Sequence, residues 1–486
     1  MTHASKHTRG YTLLLVILFG GIFVTIISGL TGRVLIEQSA ETARMYKAQA
    51  RGIAEAGLEY YKWFLAHNPD DTTHGTGSSG PYEINYEDPE GDLGGTYSLD
   101  ITGNEQCGAL TSIDIRSTGW TDKDPTIRAT VTGKYAQPSV AEYAYIINDN
   151  VYAGADREIQ GRYHANGGVH MEGTSNSAVT SAVEEWTCTS SFGCSPTQTQ
   201  PGVFGDGEKQ ELWEYPVPQF DFDGISQDFG ALKTLAQDEG LYFSSGGGET
   251  VDGRGYRRIF NADRTVDVYW VRGSDSRVSQ HIGDSDWVND YYVPTSSLLS
   301  YLGEYDIDEN CGLIFIEDRV WVSGTISGKV TLIAASVVTP GYEPAIILED
   351  DITYTTSDGS DGLAAIAQGD VHISPTSPDN LSLRGIFVAQ EGNFGRNLYP
   401  CFYNPYDKRD ELDIHGSIIS NGRVGTKWTG YSYVIQVWIF EIPLCSNDWS
   451  GYDNRTNTYD RRLATDPPPF TPIASPDYEF VEWREE

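Results

Sequence analysis

The longest uncharged stretch of the chain, mostly apolar, runs from Tyr11 to Gly32. Its 22 residues (11 to 32) span about 33 Å as a helix, enough to cross a hydrocarbon core of roughly 30 Å. The pattern then changes without stopping. Between Arg33 and His67 there is no proline, and Leu35, Ser39, Thr42, Tyr46, Ala50, Ile53, Gly57, Tyr60 and Phe64 recur at steps of three and four. That spacing predicts one face of a helix. Glu37, Glu41, Lys47, Arg51, Glu55, Glu59 and Lys62 occupy the rest, and His67-Asn68-Pro69 stops it. One helix over 11–66 is therefore expected, membrane-soluble over 11–32 and amphipathic over 33–66, with its lower half packed on its own globular domain.

From there the period falls to two. A polar Gly/Ser segment leads into short alternating runs at 82–86, 96–101, 113–117 and 127–135, separated by Gly, Pro, Asn and Asp. These predict a small antiparallel sheet over 70–138, with Ser117-Thr-Gly-Trp120 as a turn. Beyond residue 142 the chain repeats a phrase. Ile159-x-Gly161-x-Tyr163-x-Ala165-Asn166-Gly167 matches Leu383-x-Gly385-x-Phe387-x-Ala389-Gln390 and Ile414-x-Gly416-x-Ile418-x-Ser420-Asn421-Gly422, with a shorter echo at Val322-x-Gly324-x-Ile326-x-Gly328. Alternating apolar residues with a glycine corner predict the coils of a β-helix or β-solenoid over 142–427. Asn166 and Asn421 share a phase where amides can stack. An insertion of loop and helix is expected at about 184–310, its helix over 224–239. The aromatic, proline-rich tail 428–486 is expected to cap the last coil, with a sugar-binding shelf as the alternative use of its rings. The fold class is thus mainly β behind a long N-terminal transmembrane α-helix.

Charge narrows the partners. Lys+Arg number 33 against 69 Asp+Glu, a net charge of −36, so nucleic acid is excluded as a partner on electrostatic grounds. The 6 cysteines all follow the apolar run and fit an oxidising compartment. Cys188 with Cys194 is the first expected pair and Cys401 with Cys445 the second; Cys107 and Cys311 stay unassigned.

No catalytic constellation emerges: the chain has no Gly-x-Ser-x-Gly, His-Glu-x-x-His, phosphate loop or Cys-x-x-Cys. It is not expected to be an enzyme, nor to hold a cofactor or metal. His164 and His170 read as surface residues. The acidic runs Asp221-x-Asp223-Gly224, Asp284-x-Asp286, Asp306-x-Asp308-Glu309 and Glu349-Asp350-Asp351 do not complete a twelve-position calcium loop, so calcium is only a minor expectation.

The leader Lys6-His-Thr-Arg9-Gly10, followed by Tyr11 and the apolar run, resembles the N-terminus of type IV pilins and pseudopilins. The basic leader also predicts a cytoplasmic N-terminus. The resemblance implies that 1–10 is a leader cut by prepilin peptidase between Gly10 and Tyr11, with Arg9, Gly10 and Tyr11 at the processing site. Leu15 occupies the fifth mature position, where most of the family has glutamate; its loss is typical of minor subunits at a filament tip. Gln49-Ala-Arg-Gly-Ile-Ala-Glu-Ala-Gly-Leu-Glu-Tyr60 resembles the same stretch of PilX-like minor pilins. The implied protein is a minor pilin or pseudopilin, a single-pass cytoplasmic-membrane protein before assembly and part of a cell-surface filament after it. Its partners would be other pilin subunits along the helix, the peptidase and the membrane, with a surface glycan or other cell-surface ligand for the ectodomain. The alternative is a membrane-anchored surface protein with a carbohydrate-binding or glycan-cleaving β-helix.

Overall fold

A computed structural model describes residues 9–68, 71–87, 93–222, 228–437 and 440–486. Lys6, Pro69, Asp223 and Gly224, which figure in the expectations above, lie outside them. The chain divides into two compact units. The first comprises Met1–Asn104, Ser112–Tyr135 and Glu482–Glu486, and the second Glu105–Thr111 and Ala136–Val481.

In the first unit one helix runs from Arg9 to His67. A sheet follows whose strand order is Tyr82–Glu87, Leu93–Gln106, Ala109–Thr121, Asp124–Ala136 and Glu479–Glu485. Its first pairings are antiparallel hairpins. Residues 117–120 do not turn: they lie inside Ala109–Thr121. Gly119 is there because the helix backbone comes close. A Cβ on it would sit 2.3 Å from Ala50 O and 2.5 Å from Ala54 N, which is the strand use of glycine.

The second unit is a parallel β-solenoid with three faces. On the first face, strands pair in parallel in the spatial order Leu241–Phe243, Leu313–Ile316, 331–334, 364–367, 386–389, 418–420, 145–147, 163–165, 179–181 and Trp213–Glu214. The chain therefore enters mid-stack at Tyr143, builds to one end, and crosses to the other through the helix Phe229–Asp238. It then winds back until Lys408–Ser420 pairs with Tyr143–Ile147 and 455–458 with Arg157–Gln160. This order explains the irregular repeat. Residues 241–260 are coils rather than insertion. Of the expected insertion, the hairpin Glu185–Cys188/Gln198–Pro201 and the strands between 265 and 306 stand apart from the regular winding.

Inward side chains form apolar columns such as Ile314, Leu332, Ala365, Phe387, Ile418, Tyr145, Tyr163 and Val179, all buried. The first face is covered outside as well, so its strands read as continuous apolar runs. Phe229, Leu232 and Ala236 of the crossing helix pack there with Leu313, Phe315, Ile333 and Ile366. The tail does not cap an end. Leu463 packs on this same flank, Lys329 Nζ donates to Asp466 O at 2.5 Å, and Thr331 Oγ1 donates to Pro469 O. Residues 427–458 form a hairpin, Lys427–Val437 with Phe440–Thr458, whose second strand becomes a coil. The outer side of the first face is apolar, and that is what draws the tail to the flank.

Gly385 and Gly416 are paired neighbours at one corner, with φ of 150° and 147°. The echo at Gly324 sits at a different corner, since Gly324 pairs with Ile352, and Ile352 with Leu383. The amide ladder is longer than two residues. Asn148 Nδ2 donates to Asn421 Oδ1 and Asn166 Nδ2 to Asn148 Oδ1, both at 2.6 Å. His164 is not on the surface. It is 2 % exposed, with Nε2 3.0 Å from Asn166 Oδ1 and Nδ1 2.9 Å from Thr180 Oγ1. His170 is also buried, between Phe192 O and Glu172. Both point away from the core, alternating with the inward Tyr163, Ala165, Val169 and Met171, and are buried because later segments lie over them, Phe220 on His164 and Phe192 with Phe204 on His170.

Two outcomes are expected. Asn148→Ala removes the middle rung of the ladder at the point where the two ends of the winding meet, and should cost about 1–3 kcal/mol, read as a lowered midpoint in denaturant. Burial holds the His164 pKa below its ordinary 6.5. The unfolded chain therefore binds the proton more readily, and stability should fall as pH drops below about 6.5. Unfolding midpoints of His164→Gln should change less than wild type across that window.

Candidate membrane and assembly helix

The 59-residue helix is about 88 Å long and has two environments. Its most apolar window has a mean hydropathy of 2.7, is 0 % buried, and belongs to the one helix among the described residues long and apolar enough to cross a membrane. Tyr11 is 75 % and Ile17 68 % exposed. A bare apolar cylinder of this size far exceeds the patches that soluble monomers tolerate. Its polar atoms suit lipid, because Thr25 Oγ1 donates to Ile22 O and Thr31 Oγ1 to Ile27 O, each at 2.8 Å. The hydroxyls are thus satisfied within the helix, as a hydrocarbon environment requires. Gly20, Gly21, Gly29 and Gly32 have nothing within 4 Å of the place a Cβ would take, so no contact in this chain requires them.

Burial begins at Ala50. Ala50, Ile53, Ala54, Leu58, Tyr61 and Leu65 are buried, as are Tyr97, Leu99, Ile115 and Val131 of the sheet, and the two meet where Gly119 approaches Ala50 and Ala54 and Gly95 approaches Ile53. Each large side chain among them contributes about 1.5–3 kcal/mol. Gly57 allows close approach: a Cβ there would meet Ser117 Oγ at 2.3 Å. Tyr60 and Phe64, expected on the buried stripe, lie at its margin, while Tyr61 and Leu65 take the centre. Leu35, Ser39 and Thr42 are exposed. The Tyr61 hydroxyl donates to Asp71 O at 2.6 Å and Tyr60 OH meets His74 Nε2 at 2.9 Å, pinning the loop after the helix. On the outer side, Arg51 pairs with Glu55 at 2.9 Å and with Glu485 at 2.8 Å.

Of the residues named for processing, Arg9 and Gly10 begin the helix and Tyr11 follows on its exposed surface. Leu15 is 41 % exposed, the least among Leu13, Leu14, Leu15 and Val16, and places an apolar side chain in the bare segment.

Away from the helix, the acidic runs serve the backbone. Asp308 Oδ1 accepts from Asn310 N and Cys311 N, and Asp351 Oδ1 from Ser382 N. Glu349 is bound to Arg257 at 2.6 Å, yet burial raises its pKa above the ordinary carboxylate value. The tail aromatics are divided: Tyr478 and Trp483 are exposed, while others are packed. Tyr452 is buried with its hydroxyl on Ser377, and Trp449 lies beneath Lys408 and Lys427. The cysteines form Cys188–Cys194, Cys401–Cys445 and Cys107–Cys311. The last pair, 204 residues apart, had no local signal.

No protein-family model and no curated protein matches the chain. Among solved structures, the competence-associated pilin ComZ from Thermus thermophilus aligns over 91 % of this chain and 97 % of its own, at 13 % identity and a TM-score of 0.28.

The helix–sheet contact is open to a direct check. Gly119→Ala should force strand and helix apart and cost about 1–3 kcal/mol, seen as earlier thermal unfolding, with the alanine tolerated at the open position Gly29.

Proposed function

We propose that this chain is a minor pilin or pseudopilin, a structural and adhesive subunit at or near the tip of a type IV pilus-like filament. The observation that carries the reading is the single helix in two states: bare and uncharged over 11–32, then packed on an antiparallel sheet from Ala50 onward. Such a helix can sit in the membrane before assembly and exchange lipid for the same segment of other subunits afterwards, since neither environment holds water. The open surfaces at Gly20, Gly21, Gly29 and Gly32 suit close helix–helix approach. Leu15 brings no carboxylate to that core, which favours a subunit present in few copies over the repeating one. The solenoid then supplies a long, acidic surface for display, with a cell-surface glycan or protein as its ligand. The role is one of assembly and binding rather than catalysis, and prepilin peptidase prepares the subunit by cutting after Gly10.

Mass spectrometry of the membrane-extracted protein should find Tyr11 as the first residue, and Gly10→Ala should leave the leader attached and the protein absent from sheared filaments. An intact leader on wild-type protein in cells with active peptidase, or uncut Gly10→Ala protein within filaments, would overturn the proposal.

A further inference from the structure

On the second face of the solenoid the hairpin Ser274–Gln280/Trp287–Pro294 encloses a set of polar side chains. His372 stands on the coil Val371–Ile373 and is 2 % exposed. Its Nε2 lies 3.0 Å from Asp370 Oδ2. A carboxylate only accepts, so that nitrogen carries a proton, and Nδ1, which is buried and has no partner, is the nitrogen left for a ligand. Asp290, on the hairpin, is 3 % exposed. Tyr399 OH holds its Oδ2 at 2.6 Å, while Oδ1 is buried without a partner. His281, at the hairpin turn, likewise has a buried, unpartnered Nε2, and its ring centroid is 6.4 Å from that of His372. Tyr292 packs on His372 at 4.6 Å and forms one wall.

We propose that His281, His372 and Asp290 bind one transition-metal ion of the zinc type, which clamps the hairpin to the solenoid. Three facts converge on this. Each residue brings a ligand atom that is out of water and unused, a state costing about 1–3 kcal/mol per atom when left unfilled. Two of the three are already held from behind, His372 by Asp370 and Asp290 by Tyr399, which is the outer-shell arrangement that orients metal ligands. Two imidazoles and one carboxylate form a donor set for zinc, copper or nickel, whereas calcium and magnesium take oxygen. An ion needs nitrogens at about 2.0–2.1 Å. The three atoms are not all within 4.8 Å of one another, so binding must draw the hairpin and the coil closer together. The trio that does meet that distance, His170 with Cys188 and Cys194, is unsuited: its sulfurs are joined to each other, and both ring nitrogens of His170 are hydrogen-bonded. The clamp is structural; its open coordination positions fall to solvent or Asn397, whose Oδ1 is also buried and unpartnered.

The test uses the full chain in detergent, stripped with chelator and titrated with Zn2+. One ion per chain by elemental analysis is expected, with a raised unfolding temperature and, on Co2+ substitution, visible d–d absorption. His281→Gln, at the half-buried turn, and Asp290→Asn should each weaken affinity about tenfold or more, while the metal-free variants still unfold cooperatively. His170→Gln should bind as wild type. Substoichiometric Zn2+ on the wild type, full binding by His281→Gln, preference for Ca2+ over Zn2+, or loss confined to His170→Gln would each overturn the proposal.

Discussion

The solenoid depends on one seam of backbone hydrogen bonds. Tyr143–Ile147 lies in parallel on 418–420, and Arg157–Gln160 on 455–458. Without it there would be two partial stacks, each presenting a raw strand edge, the surface through which β-proteins aggregate. With it, inward columns such as Phe387, Ile418, Tyr145 and Tyr163 run unbroken across residues far apart in sequence. Asn148 completes the join. It accepts from Asn166 and donates to Asn421, so the amide ladder crosses the seam without a gap.

The helix obeys a different constraint. Its first part offers the backbone full internal hydrogen bonding and side chains that favour hydrocarbon, and its last part is shaped to a sheet by Gly57 and Gly119. Between them, Arg33–Glu37 and Arg44–Glu41 form exposed pairs along a single helical turn each. Pairs of that kind contribute only a few tenths of a kcal/mol. The division of labour along one element follows from where charge and apolar area lie.

Much of this was legible in the chain. The helix, the antiparallel module and the coils all announce themselves by period. The limits of that legibility are physical. Gly119 looked like a turn because glycine serves turns and close backbone contacts equally. His164 and His170 looked exposed because nothing in their own strands reveals that Phe220 and Phe192, 56 and 22 residues further on, lie over them. The tail looked like a cap because its rings demand burial, though not in any particular place; the apolar outer flank of the first face supplied it. Cys107 and Cys311 pair across 204 residues, and His281, Asp290 and His372 lie on a hairpin and a coil that only tertiary structure brings together. Local pattern carries no information about such meetings.

The mid-stack entry of the chain has a consequence for how the protein is made. The coils built from residues 143–181 leave the ribosome 227 or more residues (408 minus 181) before the strand they must lie on. At about 5–20 residues per second that is a wait of roughly 11–45 s with one edge open. Its folding is timed by translation, and the coil that holds Lys408–Ser420 and 455–458 acts as the closing piece.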